Sequence, residues 1–388
     1  MKTWIRKVFR QECTGLLRGR PPAVAVLFGL PLLYCILFGF AYSSHVVKYI
    51  PTVIYDQDQT AASRTLIRAY IDSERYDIVG EVTTQEEMEQ YLRDGKALVA
   101  VAIPPDFAKK LKNGLSAEVL IMTNAVNLMF ANTVISSSQE IIQTVAAAIG
   151  QKLFESAGQP PAQALYTTLP IKFATRILYN PTTSYSNFIL AGLGANGLQL
   201  AIILVTCTAI VREFAAIDRW KDCPTVALFI GKLLPYWACA MLAFLTYIAA
   251  IVWLFDVPYR GSLSGLMLIG AAFTFAVCSV GFFFSAIAKN EILAIEGPVL
   301  FIMPAFLFCG YSWPQFAMEG FVRAFSALLP LTYTAEVIRD ILLAGYAPEL
   351  YENVAILLAF GFLLLLVSVL TFERRRRTLN VGGTGTTP

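Results

Sequence analysis

The chain has 388 residues, of which 56% are hydrophobic and only 15% are charged. Soluble domains usually carry about a quarter charged residues, so this composition excludes an ordinary soluble protein and indicates a polytopic membrane protein. The formal net charge of +3 decides little, whereas the positions of the basic residues are informative.

Residues 1–22 are predicted to form an amphipathic helix at the cytoplasmic surface of a membrane. Trp4, Ile5 and Phe9 recur at helical spacing among basic residues, and Pro21-Pro22 ends the pattern. Such a helix would lie in the membrane interface with its tryptophan at headgroup depth. A flank that is merely basic is the alternative.

Six apolar runs are each long enough to cross a bilayer, which needs about 20 helical residues. They cover residues 23–42, 185–211, 226–255, 263–288, 292–311 and 354–372. The first run exceeds the apolar region of a cleavable signal peptide, about 7–15 residues, so an uncleaved span is favoured. Basic residues before the first run, after the second and after the last place both termini in the cytoplasm by the positive-inside rule.

Residues 43–183 separate the first run from the other five and predict an extracytoplasmic α/β domain. Strands are expected near 51–55, 76–82, 97–103 and 118–122, alternating with helices near 61–73, 84–93, 106–112 and 126–156. This alternation predicts a partly parallel sheet. The expected fold is therefore a polytopic α-helical membrane protein, with six transmembrane helices in a 1+5 arrangement and an inserted α/β domain.

The five-helix part, residues 184–372, contains two distinctive connections and precedes a basic tail at 373–388. Loop 211–225 sets Phe214, Ile217 and Trp220 against charged neighbours. This pattern predicts exposed anchors that dock a cytoplasmic partner, with an interfacial turn as the alternative. The outer connection, residues 312–350, is apolar but interrupted by prolines, so it predicts re-entrant or interfacial helices.

Motifs for chemistry are scarce. No P-loop sequence occurs, and the Gly192–Gly197 match to GxGxxG lies inside the second run, where small residues favour close helix packing. The seven cysteines show no zinc spacing, and the single histidine, His45, has no catalytic partners in the sequence. Neither a catalytic residue nor a metal ligand is expected.

Glu296 is the one carboxylate that stands a few residues inside the fifth run. An intramembrane carboxylate is a functional candidate because its charge is costly there. Snorkelling to the headgroups and pairing with Lys289 are the structural alternatives.

The chain resembles the type-2 ATP-binding-cassette (ABC) exporter permeases, in the branch with a large extracytoplasmic domain after the first span. The resemblance covers essentially the whole chain. It is carried by Asp56-Gln-Asp-Gln59, Ile103-Pro-Pro-Asp-Phe107, Gly231-Lys-Leu-Leu-Pro-Tyr236, and Leu329-Pro-Leu-Thr-Tyr333 with Arg339 and Gly345. The cytoplasmic loop keeps the family's Arg212-Glu213 but departs from the Arg-Glu-Arg-Glu pattern after it.

This resemblance implies a permease subunit of an ATP-driven exporter, without an ATPase site or cofactor of its own. The substrate would be hydrophobic or amphipathic, such as a drug, a lipid or a lipid-linked molecule. ATP and Mg would belong to a separate ABC ATP-binding subunit. A second permease, identical or paralogous, would complete the pathway in the bacterial cytoplasmic (inner) membrane. Membrane lipid and a periplasmic adaptor or outer-membrane channel are further partners, and no nucleic acid is expected.

The resemblance also assigns roles to residues. ATPase coupling is expected at Arg212, Glu213, Phe214, Ile217, Trp220 and Pro224, together with Trp4, Ile5 and Phe9 of the N-terminal helix. Candidates for the transport path are Glu296, Pro314, Pro330 and Tyr333. A membrane-anchored receptor or scaffold acting through the inserted domain is one alternative. An ion-coupled secondary transporter is another, although no internal 3+3 repeat is evident.

Overall fold

The computed structural model describes residues 1–19, 21–42, 47–113, 115–123, 128–156, 158, 160, 177–214 and 217–382. His45 lies outside the described residues. The chain divides into two compact units. One unit comprises Met1–His45 with Ile177–Pro388, and the other comprises Val46–Arg176.

The first unit contains the membrane helices. It begins with helix α1 (Lys2–Thr14) and a π-helical turn (Gly15–Gly19). Among the described residues, six helices are long and apolar enough to cross a membrane. They are named here S1 (Pro21–Ala41), S2 (Tyr185–Phe214), S3 (Thr225–Leu254), S4 (Leu263–Ile287), S5 (Glu291–Phe308) and S6 (Leu350–Thr378). The predicted polytopic fold is confirmed.

Three of these helices differ in detail from the predicted runs. S2 is regular from Tyr185 to Thr206 and resumes as a helical turn at Val211–Phe214. S5 consists of Glu291–Ile302 and Ala305–Phe308. The S6 helix runs from Leu350 to Gly382, so most of the predicted basic tail extends the last span as a helix.

The second unit is an α/β domain, as predicted. Its elements are β1 (Ile50–Asp56), α2 (Ala61–Ile71), β2 (Tyr76–Val82), α3 (Gln85–Arg93), β3 (Val99–Ile103), α4 (Phe107–Lys112), β4 (Leu120–Thr123) and α5 (Leu128–Ser156). The sheet order is β2-β1-β3-β4. Strand β1 pairs in parallel with β2 and β3, and β4 is antiparallel to β3, which confirms the partly parallel sheet.

Two aspartates close the loops at the carboxyl end of this sheet. Asp56 Oδ1 accepts hydrogen bonds from the backbone N–H groups of Asp58 and Gln59, both at 3.0 Å. Asp58 Oδ2 accepts the N–H of Ala108, in the first turn of α4, at 3.1 Å. Ligands of parallel sheets bind at this edge. Here the carboxylates of Asp56 and Asp58 accept hydrogen bonds from backbone N–H groups of the domain itself. The Asp56-Gln-Asp-Gln59 motif therefore has a structural role.

The glycines of the GxGxxG match pack against aromatic rings of neighbouring segments. A Cβ atom on Gly194 would lie 2.6 Å from Tyr247 of S3, and one on Gly197 would lie 2.9 Å from Tyr34 of S1. Gly192 is equally close to Tyr311, which follows S5. These glycines therefore serve close packing inside the membrane unit.

The outer connection between S5 and S6 is broken into short helical pieces. They are a 3₁₀ turn (Gln315–Ala317), helix α6 (Gly320–Ser326), a second 3₁₀ turn (Pro330–Tyr333) and helix α7 (Ala335–Leu343). Residues Gly320–Ser326 and Pro330–Leu343 form a pair bent by 86°, which is apolar enough to count as one broken span or a re-entrant loop.

Candidate functional site: the junction of helix α1, S2 and S3

The carboxyl-terminal end of S2 is fixed to S4. After Thr206 the chain forms a turn, and the backbone N–H groups of Ile210 and Val211 both donate to Ser285 Oγ at 2.9 Å. Ser285 is fully buried in the last turns of S4. The segment that carries Arg212, Glu213 and Phe214 therefore starts from a rigid base.

Three buried ionisable side chains meet beneath this segment. Lys232 of S3 is 0% exposed, and its Nζ lies 2.8 Å from Glu213 Oε1 and also pairs with Glu12 Oε1 of α1. The Tyr236 hydroxyl donates to Glu12 Oε2 at 3.2 Å. We call Glu12, Lys232 and Glu213 the buried charge network. It joins α1, the end of S2 and S3 at one point.

The loop's tryptophan belongs to the same cluster. Trp220 is only 1% exposed, and its indole Nε1 donates to Glu213 Oε2. Phe214 is half-buried, with its ring 4.9 Å from that of Phe372 in S6. Of the predicted exposed anchors Phe214, Ile217 and Trp220, the prediction is wrong for Trp220, which is buried. The buried Lys232 requires a carboxylate as counter-charge, and the Trp220 indole donates to that carboxylate. Glu213 and Trp220 therefore both point into the protein.

The exposed part of the loop is a short polar ridge. Asp218, Arg219, Lys221 and Asp222 are exposed, and we call these four residues the docking ridge. Ile217 is half-buried, and Pro224 is exposed where the chain turns into S3. The 3₁₀ turn Ile217–Trp220 presents the ridge outward while Trp220 holds it from beneath. Residues 215 and 216 lie outside the described residues.

Helix α1 packs on S3 through its apolar face. Val8 is buried, and a Cβ on Gly231 would lie 2.7 Å from Val8 Cβ, so glycine permits this close approach. Trp4 and Ile5 are half-buried against the same core, and Lys7 Nζ lies 4.8 Å from the Trp4 ring centre. Phe9 is 37% exposed. The amphipathic helix is thus a packed part of the membrane unit.

Arg212 points to S5. Its Nη2 lies 2.7 Å from Glu291 Oε2 in the first turn of that span. The same arginine lines a cavity of about 470 Å³. The other lining residues are Leu16, Gly19, Pro22, Ala23, Val26, Leu204, Val205, Thr208, Tyr236 and Ile295. The cavity therefore has apolar walls from S1, S2 and S5 and a polar end near Arg212 and Thr208.

Glu296 is exposed on S5, one and a half helical turns from Glu291. Within the described parts of the chain its side chain has no ion pair or hydrogen bond, so the alternative of pairing with Lys289 is not observed. Leu300, Met303 and Leu307 continue the same stripe and are 81%, 73% and 62% exposed. S5 thus presents an apolar face that carries one carboxylate.

The start of S2 and the segment after S5 meet α7 in an aromatic cluster. The Arg339 guanidinium of α7 lies 5.2 Å from the Tyr311 ring centre and 5.9 Å from that of Phe188 in S2. Of the predicted path residues, Pro330 is buried, Pro314 is exposed, and the Tyr333 hydroxyl donates to Ala327 O at 2.9 Å. These residues shape the broken connection and lie apart from Glu296.

Glu12 and Lys232 are the site residues that the sequence analysis missed. A glutamate on the apolar face of α1 and a lysine inside an apolar run were the available signals, because each is costly unless it is paired. Nothing local relates two residues 220 positions apart. Among the described residues no group of three or more His, Cys, Asp or Glu side chains could hold a metal ion.

Comparison with known proteins gives this architecture a family. Residues 24–370 match the profile of the ABC-2 family transporter proteins. The chain is 25% identical over 350 residues to the probable multidrug ABC transporter permease YbhR of Escherichia coli, covering 89% of this chain and 91% of YbhR. It is 24% identical to the probable multidrug ABC transporter permease YbhS, covering 96% and 97%.

A third relative is the inner membrane transport permease YhhJ of Escherichia coli, 23% identical over 90% of this chain and 94% of YhhJ. Permeases of this family carry no ATPase domain, so their ATP is used by a separate ATP-binding partner. The chain belongs to the ABC-2 family, as a multi-pass permease subunit of an ABC transporter.

Proposed function

We propose that this permease exports hydrophobic or amphipathic molecules from the cytoplasm or the inner leaflet of a bacterial inner membrane. The names of its relatives, two probable multidrug permeases and one inner membrane transport permease, support this substrate class and location. The apolar walls of the Arg212 cavity support it physically, because an amphiphile could place its tail there and its polar group near Arg212.

Both termini lie in the cytoplasm in this proposal. The basic residues cluster on α1, on the docking ridge and at Arg374–Arg377, all on the side where S1 begins and S6 ends. Positive residues near span ends favour the cytoplasmic face. The α/β domain, which follows S1, is then extracytoplasmic.

The observation that carries the coupling mechanism is the buried charge network. It joins α1, the loop and S3 rigidly, because Glu12, Lys232 and Glu213 are buried and form ion pairs with one another. An ATP-binding subunit that pushes on the docking ridge would therefore move α1 and S3 together. Glu213, Phe214, Ile217 and Trp220 act in this scheme by fixing the loop rather than by touching the partner.

A second permease, identical or paralogous, would face the exposed stripe of S5. An unpaired carboxylate is unfavourable against lipid, so Glu296 is better accommodated in a water-accessible path between two permeases. YbhR and YbhS are both permeases of one Escherichia coli strain, which is consistent with pairing of paralogues. At the far end, the broken connection with Pro314, Pro330 and Tyr333 would form the outer exit.

The test is capture of an ATP-binding subunit by the tagged permease from its native membrane in mild detergent. A subunit with a P-loop should copurify, and the pair in vesicles should show ATP-driven transport of an amphipathic dye. Reversing two charges of the docking ridge, Arg219→Glu with Lys221→Glu, should weaken capture strongly because these side chains are exposed at the proposed contact.

The matched control is Lys109→Glu with Lys110→Glu, the same double reversal on exposed residues of the α/β domain. It should leave capture unchanged. Equal capture by wild type and the ridge variant would contradict docking at the ridge. A folded permease that captures no ATP-binding subunit would contradict the exporter itself.

A further inference from the structure

The four consecutive arginines at the end of S6 are not equivalent. Arg374 and Arg377 are exposed, and Arg377 pairs along its own helix with Glu373, at 3.5 Å. Arg375 and Arg376 are half-buried and reach other segments of the membrane unit. If these arginines served membrane topology alone, all four could be exposed. The positive-inside rule depends on the number of basic residues and not on where each side chain points.

Arg376 binds the backbone of the cytoplasmic loop. Its Nη2 donates to Trp220 O at 2.8 Å and also to Lys221 O. Its Nη1 donates to Cys223 O at 3.0 Å and lies 3.5 Å from Thr225 Oγ1. One guanidinium thus satisfies three carbonyls on the docking-ridge turn, and Glu373 adds a bond from the Thr225 hydroxyl.

Arg375 holds the neighbouring end of S4. Its Nη1 donates to Ala286 O and Ala288 O, both at 2.7 Å, which are carbonyls that a helix terminus leaves without partners. Its guanidinium carbon also lies 4.0 Å from the Phe214 ring centre. One turn before Arg376, the buried Phe372 ring packs on Phe214 and Phe229.

We propose that Arg376, supported by Arg375, is the positioning residue that links the docking ridge to S6. Movement of the ridge then draws the end of S6 with it. S6 is one continuous helix from Leu350 to Gly382, and at its other end it follows α7, which carries Arg339. A push on the cytoplasmic loop thereby reaches the broken outer connection through a rigid element.

The effect of this link on transport rests on the proposed export function, whereas the contact between Arg376 and the docking-ridge turn does not. The contact itself is tested on the permease alone, by hydrogen exchange of the backbone amides of residues 217–225 in detergent. Arg376→Gln should raise their exchange about tenfold, because hydrogen bonds from a charged donor are stronger than those between neutral groups. Arg374→Gln, which removes the same charge from the same run, should leave exchange unchanged. Arg376→Lys should restore it in part.

The consequence is tested with the ATP-binding subunit in vesicles. Arg376→Gln should keep capture of that subunit and its ATP hydrolysis, while transport per ATP falls about tenfold and Arg376→Lys recovers part of it. Arg374→Gln should transport normally. Unchanged exchange in Arg376→Gln would overturn the contact. Raised exchange with normal transport per ATP would overturn the linking role. If Arg376→Gln raises hydrogen exchange but the wild-type permease captures no ATP-binding subunit, the proposed function is refuted and the contact stands.

Discussion

Lys232 Nζ lies 2.8 Å from Glu213 Oε1, and both side chains are buried. One ammonium group therefore faces two carboxylates, those of Glu213 and Glu12. The remaining carboxylate oxygens accept bonds from the Trp220 indole and the Tyr236 hydroxyl, so every charged atom has a partner. A network satisfied in this way is rigid and specific, but it tolerates the loss of a member poorly.

Lys232→Met should destabilise the membrane unit by about 3–5 kcal/mol, because it leaves two buried carboxylates without a counter-charge. The measurement is thermal unfolding in detergent. Lys221→Met, on the exposed docking ridge, is the matched control and should change stability little. Adding Glu12→Gln and Glu213→Gln to Lys232→Met should recover much of the loss. If Lys232→Met alone is as stable as wild type, Lys232 is not needed as the counter-charge of the two buried carboxylates.

Gly194→Ala should destabilise the packing of S2. The added methyl would lie 2.6 Å from Tyr247 Cδ2 and 3.1 Å from Cys35 Sγ, so S1 or S3 has to shift. Overpacking of this kind costs about 1–3 kcal/mol. Gly29→Ala in S1 is the control, since no neighbour lies within 4 Å of its added methyl. Equal melting temperatures for the two variants would contradict the packing role of Gly194.

Much of the fold was predictable because its signals are local. The strand expected near 76–82 is observed as β2 (Tyr76–Val82), and the strand expected near 97–103 ends at Ile103, directly before Pro104-Pro105. Thr84 caps α3, with its Oγ1 accepting the Glu87 N–H at 3.2 Å, a contact between residues only three positions apart. The bond between Asp58 and Ala108 was not predictable, because it joins loops 50 residues apart.

Asp58→Ala should loosen the α/β domain. It removes the only side-chain acceptor seen for the Ala108 N–H among the described residues, and losing a helix cap costs about 0.5–2 kcal/mol. Limited proteolysis of the full-length protein should cut the segment around α4 faster. Asp77→Ala, at an exposed position in β2, should leave cleavage unchanged. Identical cleavage in both variants would remove the structural role of the motif.

The Arg212 cavity can be tested by filling it. Ala23→Trp would place a large ring between S1 and S5, and transport of an amphipathic dye should fall about tenfold, which corresponds to about 1.4 kcal/mol of lost binding. Ala25→Trp, exposed on the same helix, is the control. Capture of the ATP-binding subunit should persist in both. Normal transport by Ala23→Trp would exclude the cavity from the substrate's route.

The site was less predictable than the fold for a physical reason. Amphipathic patterning shows that Trp220 and Phe214 share an apolar side, but it does not tell whether membrane, partner or protein covers that side. Burial of Trp220 depends on Lys232, which needs Glu213, and on Arg376 from the far end of the chain. Such dependence between distant residues leaves no periodic trace in the sequence.

Arg339→Gln should release α7 from the outer end of S2. The arginine stacks near the rings of Phe188 and Tyr311, whose hydroxyl donates to Phe188 O, and it also pairs with Asp340 at 3.3 Å. A cation over aromatic rings contributes about 0.5–2 kcal/mol, more where water is excluded. We therefore expect a lower unfolding temperature and faster hydrogen exchange in residues 335–343. Arg339→Lys should recover part of both, because it keeps the charge but not the planar stack.

Arg323→Gln serves as the control, since that guanidinium bonds to Met318 O within its own segment. If Arg339→Gln and Arg323→Gln exchange alike, the aromatic cluster does not fix α7, and the outer connection is held by its buried residues such as Leu331 and Ile338.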